Sequence, residues 1–188
     1  MANRLHHRRI AIFVEDLFED SELLEPLHFL RAEGAEVVIV GPGREVQFRG
    51  KKGSLIEADM SAYDADISAF DAIVVPGGYA AEKMRKCDKM VDMIAKADDS
   101  GKVIAAICHG PQLLISADIL RGRMATCVKT IAVDVKNAGA SYFDDVVVVD
   151  GNLITSRTPA DLPYFLEAIA DALMSTDPIK RQNLVAGA

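Results

Sequence analysis

Apolar residues run along this chain in two rhythms. Short, largely β-branched runs without polar interruption occupy 10–14, 37–40, 72–75, 103–107, 146–149 and 153–155. Continuous apolar runs of that length predict strands covered on both faces. Between them the spacing lengthens. Over 21–33, Leu23, Leu24, Leu27 and Leu30 recur at helical intervals and Gly34 supplies a stop. Over 84–97, Met90, Val91, Ile94 and Ala97 share one side of a second helix, and Gly101 follows it. A third helix is predicted over 158–174, with Thr158 as N-cap, Pro159 at the first helical position and Asp161 in the first turn.

Strands alternating with helices predict an α/β fold, a mainly parallel sheet with helices on both faces. Two stretches depart from the alternation. The segment 41–56 carries Gly41-Pro42-Gly43, Arg49-Gly50 and Gly53 between short β-like pieces, which reads as a small hairpin excursion. Asp150-Gly151, between two apolar runs, is a hairpin turn signal. No repeat or linker interrupts the 188 residues, so one domain is expected over 1–188, with its core over about 9–174. The stretch 177–188 reads as a loose or partner-docked extension.

Composition narrows the function classes. Half the residues are hydrophobic and the formal charge is −7. That balance disfavours nucleic acid as a partner, because phosphate binding needs clustered positive charge. The basic stretch 4–9 reads as a solvated lead-in to the first strand. No apolar run is long enough for a membrane span, and no signal-peptide core is visible, so a cytoplasmic location is expected. Cys87, Cys108 and Cys127 are widely spaced and suit a reducing compartment better than a disulfide framework. No zinc-like spacing occurs, and neither a metal nor a cofactor is expected.

In a parallel sheet of this kind ligands bind at the carboxyl ends of the strands. Three segments fall there: 15–22 after the first strand, Pro76-Gly77-Gly78, and Cys108-His109. Cys108 ends a buried-strand pattern and precedes His-Gly and an apolar helix, with Ala106 and Gly110 flanking it. Such a strand–helix elbow exposes a nucleophile, and free N–H groups at the helix start favour a thiolate. The plainer alternative is a core cysteine, since free cysteine is often buried. His109 could serve as a base or merely cap the helix. Glu19 and Glu22, three apart at a helix start, can share a face. Either could donate a hydrogen bond to a thiolate if burial raised its pKa, or simply suit the helix dipole. Gly77 and Gly78 could let backbone N–H groups form an oxyanion hole, or only make a turn. By itself Glu82 reads as a surface glutamate. Cys127, after a short strand over 124–126, could lie near the site.

Together these residues resemble the ThiJ/PfpI superfamily, in its PfpI-like cysteine peptidase and deglycase branch. The resemblance rests on the following stretches, and spans about 9–174. They are Phe18-Glu19-Asp20-Ser21-Glu22-Leu23 with Pro26, Gly50-Lys51-Lys52-Gly53, Asp71 to Gly78, Ala105 to Gln112, Leu120-Arg121-Gly122-Arg123, Asn137-Ala138-Gly139, Val147 to Asn152, and Thr155 to Leu162. It implies a flavodoxin-like three-layer sandwich of the class I glutamine amidotransferase type. Cys108 is implied as nucleophile, Glu22 as the acid bonded to it, and Gly78 with the His109 N–H as oxyanion donors. Glu82 of a neighbouring subunit is implied to orient His109, so that the site forms in a homodimer that can assemble further into a hexamer. The implied substrate is a small carbonyl compound or a peptide: peptide hydrolysis, or removal of glyoxal adducts. A redox sensor or stress chaperone using oxidation of Cys108 is the alternative. A tyrosine that the branch places near the site is replaced by Val128.

Overall fold

The structure, a computed structural model, describes residues 3–175; the extension expected over 177–188 lies outside them. The strands are β1 (Arg9–Phe13), β2 (Glu36–Gly41), β3 (Gln47–Arg49), β4 (Leu55–Glu57), β5 (Met60–Ser61), β6 (Ala72–Val75), β7 (Val103–Ile107), β8 (Met124–Ala125), β9 (Ser141–Tyr142), β10 (Val147–Asp150) and β11 (Leu153–Ser156). The α-helices are α1 (Asp20–Ala32), α2 (Ala80–Met84), α3 (Asp88–Asp99), α4 (Pro111–Ser116), α5 (Ala132–Asn137) and α6 (Leu162–Ser175).

Seven strands form one sheet in the order β10-β11-β7-β6-β1-β2-β5, parallel except for β10. Every residue of β6, β7 and β11 is buried, as is β1 beyond Arg9. Side chains alternate between faces, so burial of every position means that both faces are covered. α1 and α6 pack together, while α4 contacts α2, α3 and α5; these two helix groups are the outer layers of a flavodoxin-like sandwich. The chain leaves β1 for β2 on one side and returns through β6 on the other. The strand order therefore reverses beside β1, where α/β sheets bind ligands. Among the described residues no helix is long and apolar enough to cross a membrane.

The hairpin excursion is present as the antiparallel pair β3–β4. Asp150-Gly151 turns β10 into β11, with Gly151 at φ 60°. The helix expected over 84–97 is present as α3 but begins only at Asp88, and Met84 instead ends α2. Cys87 adopts an extended backbone, φ −94° and ψ 97°, and becomes the N-cap of α3, while its thiol donates to the Pro42 carbonyl at 3.3 Å. The apolar spacing carries no mark of that break. Thr158 is extended, as an N-cap should be, yet its side chain caps nothing. Its Oγ1 sits 3.3 Å from the Asp161 carboxylate, the Asp161 N–H donates to the Thr158 carbonyl, and Pro159–Asp161 tighten into a 3-10 turn before α6.

The basic stretch at 4–9 is not left to solvent. Arg4 bridges Glu33 and Glu167 at 2.8 and 2.7 Å, Arg8 pairs with Asp71 at 3.1 Å, and Arg9 with Glu36 at 2.9 Å. These arginines fasten the N-terminal segment to the end of α1, to α6 and to the sheet.

Candidate active site

β7, β6 and β1 are neighbours in the sheet. Their carboxyl ends therefore bring together the three segments singled out in the sequence. An isolated antiparallel bridge between Phe18 and Gly78 links the loop after β1 to the loop after β6, and the Glu19 N–H donates to the Gly77 carbonyl at 3.3 Å.

Cys108 stands at the end of β7 with φ 60°, in the left-handed region. A non-glycine residue there costs about 1–3 kcal/mol and persists only where its surroundings enforce it. Here the Cys108 N–H donates to the Ser156 carbonyl, and the Cys108 carbonyl accepts from the Val128 N–H, both at 3.1 Å. Gly110 lies so close to the sheet that a Cβ would stand 2.5 Å from the Val75 carbonyl oxygen. The elbow is thus held on both sides, and Cys108 as a residue is only partly buried.

Glu22, on α1, is wholly buried. Its Oε2 accepts from the Gly77 N–H at 2.8 Å, while Oε1 is buried without a partner in hydrogen-bond geometry. Burial raises the carboxyl to about 7, the Gly77 N–H and the Cys108 thiol pull it down, and the charge of Glu19 pushes it up again. Burial, and then the adjacent Glu22 carboxylate, push the Cys108 thiol up to about 12, whereas the His109 and Gly78 N–H groups draw it down. The two groups therefore titrate as a pair. When the proton sits on Glu22, its repulsion on the sulfur disappears and the carboxyl becomes a donor toward a thiolate. The N–H groups of Gly78 and His109 act on that same sulfur.

Gly77 leaves room for all of this. A Cβ there would meet Glu22 Oε2 at 2.6 Å and both Cys108 Cβ and the His109 nitrogen at 2.8 Å. Gly77→Ala is expected to lower turnover by about 100-fold, the scale of an ångström-sized misplacement. Relieving the overlap should also cost about 1–3 kcal/mol of stability. Steady-state kinetics with denaturant unfolding checks both, and wild-type turnover in the variant would show that the carboxyl and the elbow need not be so close.

His109 is half-buried, and burial, then the charge of Lys51, hold its imidazole below the usual value and so neutral at pH 7. Glu19 turns the other way from Glu22. It pairs with Lys51 Nζ at 2.8 Å and Lys52 Nζ at 3.1 Å. Burial would raise Glu19, but the two lysines hold it below the ordinary carboxylate value. Glu82 is exposed on α2 and has no hydrogen-bond or ion-pair partner among the described residues. Its charge is absent from those acting on His109 of the same chain. Cys127 is fully buried, and the next residue donates its backbone N–H to the Cys108 carbonyl. Asp20 and Lys51 also meet here; in the sequence they are visible only as members of the Phe18 to Leu23 and Gly50-Lys51-Lys52-Gly53 stretches, neither of which assigns them a role. Among the described residues no group of three or more His, Cys, Asp or Glu side chains could hold a metal ion.

Residues 8–172 match the model of the DJ-1/PfpI family. The chain is 45% identical over 160 residues to protein/nucleic acid deglycase 2 of Escherichia coli, covering 84% of this chain and 93% of that protein. It is 45% identical over 154 residues to deglycase PfpI of Pyrococcus furiosus, covering 82% and 92%. A solved two-domain protein of Anabaena variabilis, with DJ-1/ThiJ/PfpI-like and ferritin-like domains, superposes with a TM-score of 0.87 at 45% identity, over 88% of this chain and 48% of that one.

Proposed function

The chain belongs to the DJ-1/PfpI family, and from that premise we propose that it is a cysteine hydrolase that removes carbonyl adducts, of the methylglyoxal or glyoxal kind, from amines. The observation that carries the reading is the convergence on the sulfur of one partly buried cysteine, held in a left-handed backbone, of a buried carboxyl, Glu22, and two N–H groups, those of Gly78 and His109. The names of the two deglycase relatives support the substrate class.

The chemistry follows from charge placement. The Cys108 sulfur bonds to the carbonyl carbon, and the proton it sheds is carried by Glu22. The carbonyl electrons move onto oxygen, which the two N–H groups receive. The neutral imidazole of His109 exchanges protons with the amine and the incoming water. The C–N bond then breaks and frees the amine, and a proton shift between the two oxidised carbons of the fragment makes one the thioester carbonyl and the other an alcohol, so no outside oxidant is needed; water cleaves the thioester and the fragment leaves as a hydroxy acid. The test is a side-by-side assay of a methylglyoxal–arginine adduct and a fluorogenic peptide, without added thiol or metal. Peptide cleavage alone would reassign the substrate, and no turnover of either would reject the enzyme.

The resemblance to PfpI-like proteins implies that Glu82 of a second copy in a homo-oligomer orients the His109 ring, and the chain's own Glu82 does not act on it. Glu82→Ala is expected to lose about 100-fold in turnover or more, with unchanged oligomer mass. Mixing it with Cys108→Ser subunits should restore part of the activity, because a mixed pair rebuilds one complete site. Failure of complementation after demonstrated subunit exchange would place the orienting group within one chain.

A further inference from the structure

The loop between β3 and β4 is fixed to the start of α1 by Asp20. That carboxylate is buried and accepts the Lys52 N–H at 2.8 Å and the Ser54 N–H at 3.1 Å. Gly50 backs onto it so closely that a Cβ would stand 2.6 to 2.8 Å from the carboxylate atoms. The Lys51 N–H donates to the Phe18 carbonyl at 2.9 Å. Three backbone N–H bonds thus seat the loop on the segment that carries Glu19 and Glu22.

The clamp dictates where Lys51 goes. Its Nζ lies 2.8 Å from Glu19 Oε2 and 5.7 Å from the centre of the Tyr79 ring, directly after the oxyanion glycine Gly78. We propose that Lys51 is a positioning residue of the Cys108 site: an ammonium that Glu19 and Tyr79 hold over the oxyanion loop, and that the Asp20-clamped loop delivers there, so that negative charge can settle on the sulfur. This rests on the nucleophile reading of Cys108. A cation beside an ionising thiol favours the thiolate and disfavours protonation of a neighbouring imidazole. The charge of Lys51 acts on Cys108, Glu22 and His109. Lys52 shares Glu19 but is two-thirds exposed, so solvent screens its charge more strongly.

The other titratable groups around the sulfur are accounted for. Glu19 and Glu22 come from the start of α1, Tyr79 from the loop after β6, and His109 from the elbow itself. Cys127 lies in the segment that bonds the Cys108 carbonyl and is protonated at neutral pH, with burial pushing it up to about 12. Arg157 follows the strand end that receives the Cys108 N–H, and it is engaged by Asp161 and Asp144.

The experiment is the rate of Cys108 carbamidomethylation by iodoacetamide between pH 5 and 10, with the modified peptide identified by mass spectrometry. Lys51→Met leaves the backbone clamp intact. It is expected to slow the reaction at pH 7 by about fivefold and move the profile to higher pH, the scale of a partly exposed ion pair. Lys51→Arg should restore the profile. Asp20→Asn should move it in the same direction as Lys51→Met, because an amide offers one oxygen to two N–H donors. Lys52→Met should leave it in place. An unmoved profile in Lys51→Met overturns the inference alone, and an unmoved one in Asp20→Asn overturns the clamp. An equal shift in Lys52→Met overturns the placement. Resistance of wild-type Cys108 up to pH 9 overturns the nucleophile reading and this inference with it.

Discussion

Cys108→Ser is expected to lower hydrolysis of a methylglyoxal–arginine adduct by roughly 10⁴-fold or more, the scale of losing a nucleophile from an otherwise intact site. Its fold and melting behaviour should stay close to wild type, because serine differs by one atom and the elbow is held by backbone bonds to Ser156 and Val128. What serine cannot reproduce is the shared proton. A hydroxyl is far less acidic than a thiol, so the Glu22 carboxyl has no anion to donate to, and the Gly78 and His109 N–H groups face a neutral oxygen. Those N–H groups remain, so a small residual rate above water is expected. Loss of adduct, followed by mass spectrometry, measures it. Turnover above about one percent of wild type would move the chemistry away from Cys108. It would find no ready substitute, since Cys87 and Cys127 are both buried.

The central strands were legible because each is covered on both faces, which forces an unbroken apolar run. α1 was legible despite Pro26 in its middle, which removes the one N–H that would bond the Glu22 carbonyl but leaves the apolar spacing intact. The break before α3 was hidden because Met90, Ile94 and Ala97 keep their spacing whether or not the helix begins at 84. Only the backbone of Cys87 changes, and its extended form is tied to Pro42, far away in sequence. The same logic divides the site. Cys108, Gly78 and Glu22 lie beside strand ends, so local pattern and topology together place them at one edge. Glu19 could not be told from Glu22 by spacing. What separates them is that one meets two lysines and the other meets Gly77, and both meetings are tertiary. Lys51 and Asp20 were illegible for that reason: a hairpin some thirty residues downstream of α1's start carries the cation back to it.

Glu22→Gln is expected to stabilise the fold at alkaline pH while removing most of its activity. The folded carboxyl is raised to about 7 from an ordinary value of 4.5. Between those values the folded chain holds a proton that the unfolded chain has released, so stability falls as pH rises through the interval. By pH 8 this amounts to about 3 kcal/mol relative to pH 4. Glutamine keeps an oxygen for the Gly77 N–H and an N–H₂ toward the sulfur, but it does not titrate. Guanidinium unfolding should therefore show variant and wild type diverging from pH 5 to pH 8, with the variant ahead by roughly 2–3 kcal/mol at the upper end. A gap that stays constant with pH would mean that Glu22 is ionised in the folded chain throughout. The kinetic counterpart is a wild-type activity that climbs near pH 7, as the Glu22–Cys108 pair gives up its first proton, and a variant slowed by about 100- to 1,000-fold that lacks that limb. A buried acid that weakens the fold across the neutral range is hard to explain by packing, since an amide of the same shape would fit better. Its presence is explained if the proton it carries belongs to the reaction at Cys108.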